Sequence, residues 1–90
     1  MQQSFEQACK KKLLACAEAY ARQRDIKLTT LGRIVVNDSR FFSQMHDGGR
    51  SFTVRKYDEI LRWFSQNWAP GVAWPDWVER PALPAARDAA

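Results

Sequence analysis

Asn37-Asp38-Ser39-Arg40-Phe41-Phe42-Ser43-Gln44-Met45-His46-Asp47-Gly48-Gly49 is the stretch on which the reading of this chain turns. Asn37, Asp38 and Ser39 form a cluster of turn and cap residues, whose side chains bond readily to nearby backbone. They introduce a helix expected over residues 39–47, with Asp38 as its cap. Phe41, Phe42 and Met45 fall on one side of that helix, and Arg40, Ser43, Gln44 and Asp47 on the other. Gly48-Gly49 then stops it, as glycine beyond a C-terminus does.

Upstream, Thr29 or Thr30 is placed to cap a short helix over residues 31–36, with Leu31, Ile34 and Val35 facing inward. Ile34-Val35-Val36 also reads as strand. The helix is preferred because the run is short and no partner strand is evident. Downstream, Thr53 caps a longer helix, Val54 to about Asn67, whose buried stripe is Val54, Tyr57, Ile60, Leu61 and Phe64. Before all of these, Phe5, Cys9, Leu13, Cys16 and Tyr20 recur at spacings of three and four. They predict a first helix from about Phe5 to Arg24, capped by Ser4 with Gln7 as its reciprocal partner. Asp25 to Lys27 breaks that pattern. Trp74-Pro75-Asp76-Trp77 predicts one more short helical turn with Pro75 at its first position.

The whole is expected to be all-α, a compact bundle of four to five helices. Ninety residues make one domain, placed at 1–79, followed by a flexible tail at 80–90. Trp63, Trp68, Trp74 and Trp77 are dense for so short a chain; they read as rings folded over the first and last helices, or as a dimer interface.

Charge is unevenly placed. Residues 22–56 hold eight Lys and Arg against three Asp, a net of +5 where the whole chain carries +4. A basic centre suits a polyanion, since phosphate neutralisation supplies most non-specific DNA affinity. Lys10-Lys11-Lys12 reads as a solvated helix face before it reads as a phosphate site. Cys9 and Cys16 lie two helical turns apart, near 10 Å at ~1.5 Å per residue, too far to bridge, and read as core residues of a reducing compartment. One His and no paired-cysteine motif leave no metal pattern, and no cofactor is expected. With no signal-like start and no spanning apolar run, a cytoplasmic, nucleoid-associated location is expected.

Short helix, polar turn, short helix, glycine stop, longer helix is the organisation of a helix-turn-helix, here at about residues 29–47. Arg40 can address guanine, Gln44 adenine, and Ser39 and Ser43 either bases or phosphates. A merely solvated helix would more often carry Glu and Lys. Residues 38–53 resemble the lambda-repressor/Cro-like helix-turn-helix family, and the resemblance covers about residues 29–66, with Phe42, Met45, Gly48, Thr53 and Ile60 where that pattern wants its anchors, loop glycine and cap. Val36-Asn37-Asp38 stands where the family has its turn glycine, and Asn can take the left-handed conformation that glycine would take. The family's Gln early in the second helix is also absent.

The resemblance implies a third helix docked in the major groove of double-stranded DNA. It implies base reading by Ser39, Arg40, Ser43 and Gln44, and phosphate contact by Thr29, Thr30, Arg33, Arg50, Ser51 and Arg55. It implies a sequence-specific regulator, most simply a phage-type repressor acting by site occupancy, and a homodimer formed through the Trp-rich C-terminal segment. The alternative is a protein-interaction module, such as a DNA-binding antitoxin whose tail binds a partner protein. No enzyme is expected: His46 has no recognisable nucleophile or carboxylate partner, and Asp58 and Glu59 read as complements to a helix dipole.

Overall fold

Hydrophobic spacing and local caps give four helices in the computed structural model, which describes residues 5–47 and 51–81: α1 Phe5–Arg24, α2 Leu28–Val36, α3 Phe41–His46 and α4 Val54–Asn67. Among the described residues there is no strand, and Ile34-Val35-Val36 is helical. Ser4, Gly48, Gly49, Arg50 and the tail from residue 82 lie outside the described residues.

α1 buries Cys9, Leu13, Cys16, Ala17, Tyr20 and Ala21, a stripe repeating every three to four residues. Its end is closed by the backbone. Asp25 takes a left-handed conformation (φ 56°). The N–H of Asp25 then donates to the Arg22 carbonyl, and that of Ile26 to the Ala21 carbonyl at 3.0 Å. These two bonds are the Schellman arrangement, which reverses the chain after a helix.

α4 begins as its sequence dictates. Thr53 is extended, and its Oγ1 accepts the Lys56 N–H at 3.0 Å. Ile60, Leu61 and Phe64 are buried, while Val54, at the very start, is 66% exposed. Phe5 at the start of α1 is likewise 70% exposed. Both stripes therefore reach the buried core one turn later than their periodicity implies, and Phe5 and Val54 instead line one open groove with Cys9 and Tyr57.

Phe42 and Phe64 are fully buried and meet at the centre of the core, their ring centroids 6.2 Å apart. Around them stand Leu13, Cys16 and Tyr20 of α1, Leu31 of α2, and Phe41 and Met45 of α3. The segment after α4 covers this core as irregular chain. Trp68 is buried, sits 4.8 Å from Trp74, and donates its Nε1–H to the Val72 carbonyl. Trp74 donates likewise to the Val78 carbonyl at 2.8 Å. The expected helical turn is instead a single reverse turn, closed from the Val78 N–H to the Pro75 carbonyl, so the bundle has four helices among the described residues. Arg80 stacks its guanidinium over Trp74 and donates to Ser65 Oγ and to the Ser65 carbonyl, while Ser65 Oγ donates to the Pro81 carbonyl. The packed segment thus runs to Pro81, past the boundary at 79.

Candidate functional site

α2 and α3 are short, and three residues set how they meet. α2 ends at Asn37, which is left-handed (φ 58°, ψ 35°), as the missing turn glycine requires of it. The Asn37 N–H donates to the Arg33 carbonyl and the Asp38 N–H to the Gly32 carbonyl at 3.2 Å. Asp38 Oδ1 then accepts the Arg40 N–H at 3.0 Å, and its carbonyl accepts the Phe41 N–H. Asp38 is therefore the cap of the turn that opens α3. The chain returns so close to α2 that a Cβ on Gly32 would lie 2.5 Å from the Asp38 carbonyl oxygen. Gly32 is glycine because no side chain fits there. Sequence reasoning passed over it, since a glycine inside a helix reads locally only as a weak helix former.

Two expectations for α2 are corrected. The helix starts at Leu28, with Lys27 as its cap and no side-chain cap bond. Half-buried Leu28 packs against the core and draws the first turn three residues earlier, so Thr29 and Thr30 lie within that turn as exposed residues and do not cap it. Ile34 is 55% exposed rather than inward. The inner face is taken by Leu28, Leu31, Gly32 and Val35, and Ile34 lies about 120° from its middle at ~100° per residue. α3 itself is shorter than residues 39–47, because Ser39 and Arg40 form the preceding turn.

Phe41, Phe42 and Met45 are all buried and hold α3 against the core. Its other side carries half-exposed Ser43 and Gln44, and the turn just before it carries exposed Arg40 and half-exposed Ser39. Arg40 makes no ion pair among the described residues. Ser43 Oγ donates to the Arg40 carbonyl at 3.2 Å, which leaves its lone pairs outward. Thr29, Thr30 and Arg33 lie together on the exposed outer side of α2. Ser51 and Arg55 are exposed before and within the first turn of α4; Arg50 lies outside the described residues.

Two grooves flank α1. One, of about 240 Å³, is lined by Phe5, Glu6, Cys9, Phe52, Val54 and Tyr57. The other, of about 320 Å³, brings Lys10 and Lys11 of α1 beside Met45 and His46 of α3. Nothing in the spacing of these residues along the chain announced that meeting. Burial pushes the Cys16 thiol up to about 12 and raises that of Cys9, so both stay protonated at neutral pH. Tyr57 is also pushed up to about 12, chiefly by burial and next by Cys9. Among the described residues no three His, Cys, Asp or Glu side chains gather to hold a metal ion, and no helix is long and apolar enough to cross a membrane.

The fold and this surface define a small all-helical protein that presents a short polar helix face. No protein-family model, curated protein or solved structure matches the chain.

Proposed function

We propose that this protein is a sequence-specific double-stranded DNA-binding regulator of the lambda-repressor/Cro-like type, which presents α3 to the major groove and acts by occupying its site. The observation that carries the reading is the two-sidedness of α3. Three large apolar residues lie almost wholly inside, and Ser43 and Gln44 come to the surface of this short helix beside Arg40 of the turn that opens it. Arg suits guanine, Gln suits adenine, and both need a fixed backbone to make bidentate contacts. Ser39 adds a hydroxyl at the edge of the same face. Exposed Thr29, Thr30, Arg33, Ser51 and Arg55 are available for phosphate, and Arg50, outside the described residues, belongs to the same proposed set.

A second copy of the chain belongs to this reading, because one domain of this size covers little DNA and a two-fold site is the common solution. Of the Trp-rich segment, Trp68 and Trp74 are engaged within the protomer, so Trp77, 55% exposed, is the residue that would serve a dimer.

Selection of bound duplexes from random DNA tests the reading. A recurring palindromic motif, lost on Arg40→Ala, is the expected result. Arg40→Ala should cost about 1–3 kcal/mol on the selected site. Failure of any motif to enrich, with no binding to duplex DNA even at low salt, would sink it.

A further inference from the structure

The basic run Lys10-Lys11-Lys12 is split by the helix that carries it. Successive residues point ~100° apart, so three neighbours in sequence serve different faces. Lys12 turns toward Cys9, where its charge acts on the thiol. Lys10 and Lys11 turn the other way and line the groove shared with Gln7, Leu14, Met45 and His46. The floor is apolar and small. Lys10 is half-buried and Lys11 exposed, as lysines are whose stems cover apolar surface and whose ammonium groups stay in water. No carboxylate among the described residues pairs with either ammonium, whereas Lys56 on α4 is held by Glu59 at 3.4 Å. Two cations with no ion pair among the described residues therefore stand beside the C-terminal end of α3, near the His46 ring, whose Nδ1 lies 3.7 Å from Asp47 Oδ1.

We propose that Lys10 and Lys11 form a phosphate-contact site for the DNA backbone, at the α1–α3 groove, next to the helix that reads the bases. This rests on the DNA reading and extends it from the α2–α3 unit to α1. An acidic peptide would meet the same cations. Its apolar anchors would find only Leu14 and the buried Met45 beneath them, less than a peptide groove supplies. A backbone phosphate needs only the charges and an open approach, and the groove provides both.

Each lysine that neutralises a phosphate adds about one unit to the slope of log affinity against log salt. Fluorescence anisotropy of the full chain on labelled duplex DNA measures that slope. The double variant Lys10→Gln/Lys11→Gln is expected to lower it by about two, so that raising salt from about 50 to 200 mM costs roughly tenfold less affinity than in the wild type. Lys10→Arg/Lys11→Arg is expected to keep the wild-type slope, and Lys12→Gln to leave it unchanged. Thermal melting checks that each variant folds. An unchanged slope in the double glutamine variant overturns the proposal and leaves the DNA reading standing, as does an equal fall in Lys12→Gln, which would mark a general effect of net charge. A wild-type chain that binds no duplex DNA overturns the DNA reading and this site with it.

Discussion

The α1–α4 pair and the α2–α3 pair are held in different ways. α1 and α4 are long and meet through rings: Tyr20 touches Trp63, Phe64 and Trp68, and Phe64 also reaches Phe42. No single contact sets that geometry, because many dispersed contacts share the work. α2 and α3 have nine and six residues, too few to be stable alone. Their angle depends on three backbone devices at Gly32, Asn37 and Asp38. The core is robust through area, and the candidate reading helix is placed through conformation. A site that must address base edges needs the second kind of control, since a shift of an ångström spoils a bidentate contact.

That contrast can be broken from either side. The largest effect is expected at the centre of the core: Phe64→Ala should cost about 3–5 kcal/mol in urea unfolding, through lost burial and a cavity among Tyr20, Phe42 and Trp63. Gly32→Ala comes next and is the sharper test, because its sign is contested. Helix propensity alone says that alanine should stabilise by about 1 kcal/mol. The Asp38 carbonyl oxygen 2.5 Å from the new Cβ says that it should destabilise by about 1–3 kcal/mol, since the obstacle is backbone. Stabilisation by this substitution would mean that α2 and α3 do not approach as described.

A third effect comes from pH. Burial holds the Cys16 thiol neutral, with its folded value raised to about 12 from an ordinary 9.0. A raised acid contributes stability that is complete below the unfolded value and is lost as pH climbs from there toward the folded one. Stability should therefore fall above pH 9 by up to about 1.4 kcal/mol per pH unit from this group. Cys16→Ala should flatten that part of the profile, and equal alkaline slopes in the two proteins would show that Cys16 contributes nothing to it. Thr53→Ala should be smaller, about 1 kcal/mol, from loss of the bond to the Lys56 N–H. Arg40→Ala completes the contrast, with melting unchanged within about 0.5 kcal/mol because the side chain is exposed and makes no ion pair among the described residues.

Much of the fold was legible in the residues themselves. α1 and α4 fall where periodicity and the Thr53 cap put them, because long amphipathic stripes and side-chain caps are local properties. The left-handed turn at Asn37 was legible for the same reason. The errors lie where tertiary contacts outvote local preference. Leu28 lengthened α2 against the threonine caps, Ile34 lost its inward place to Gly32, and Trp74 to Trp77 were bound into an irregular cover by indole and Arg80 contacts instead of a helical turn. Of the candidate site, the division of α3 into buried Phe41, Phe42 and Met45 and outward Ser43 and Gln44, with Arg40 just before them, could be read from spacing alone.

The sequence by itself determined that this chain is helical, where its long helices run, and which side of α3 faces the core. Those depend on the order of apolar and polar residues over one or two turns. Only the tertiary structure decided that Gly32 admits the returning chain, that Ile34 stands in solvent, and that Lys10 and Lys11 meet the end of α3 while Lys12 does not. Those depend on where two helices cross, and residues more than thirty positions apart carry no local sign that they will meet.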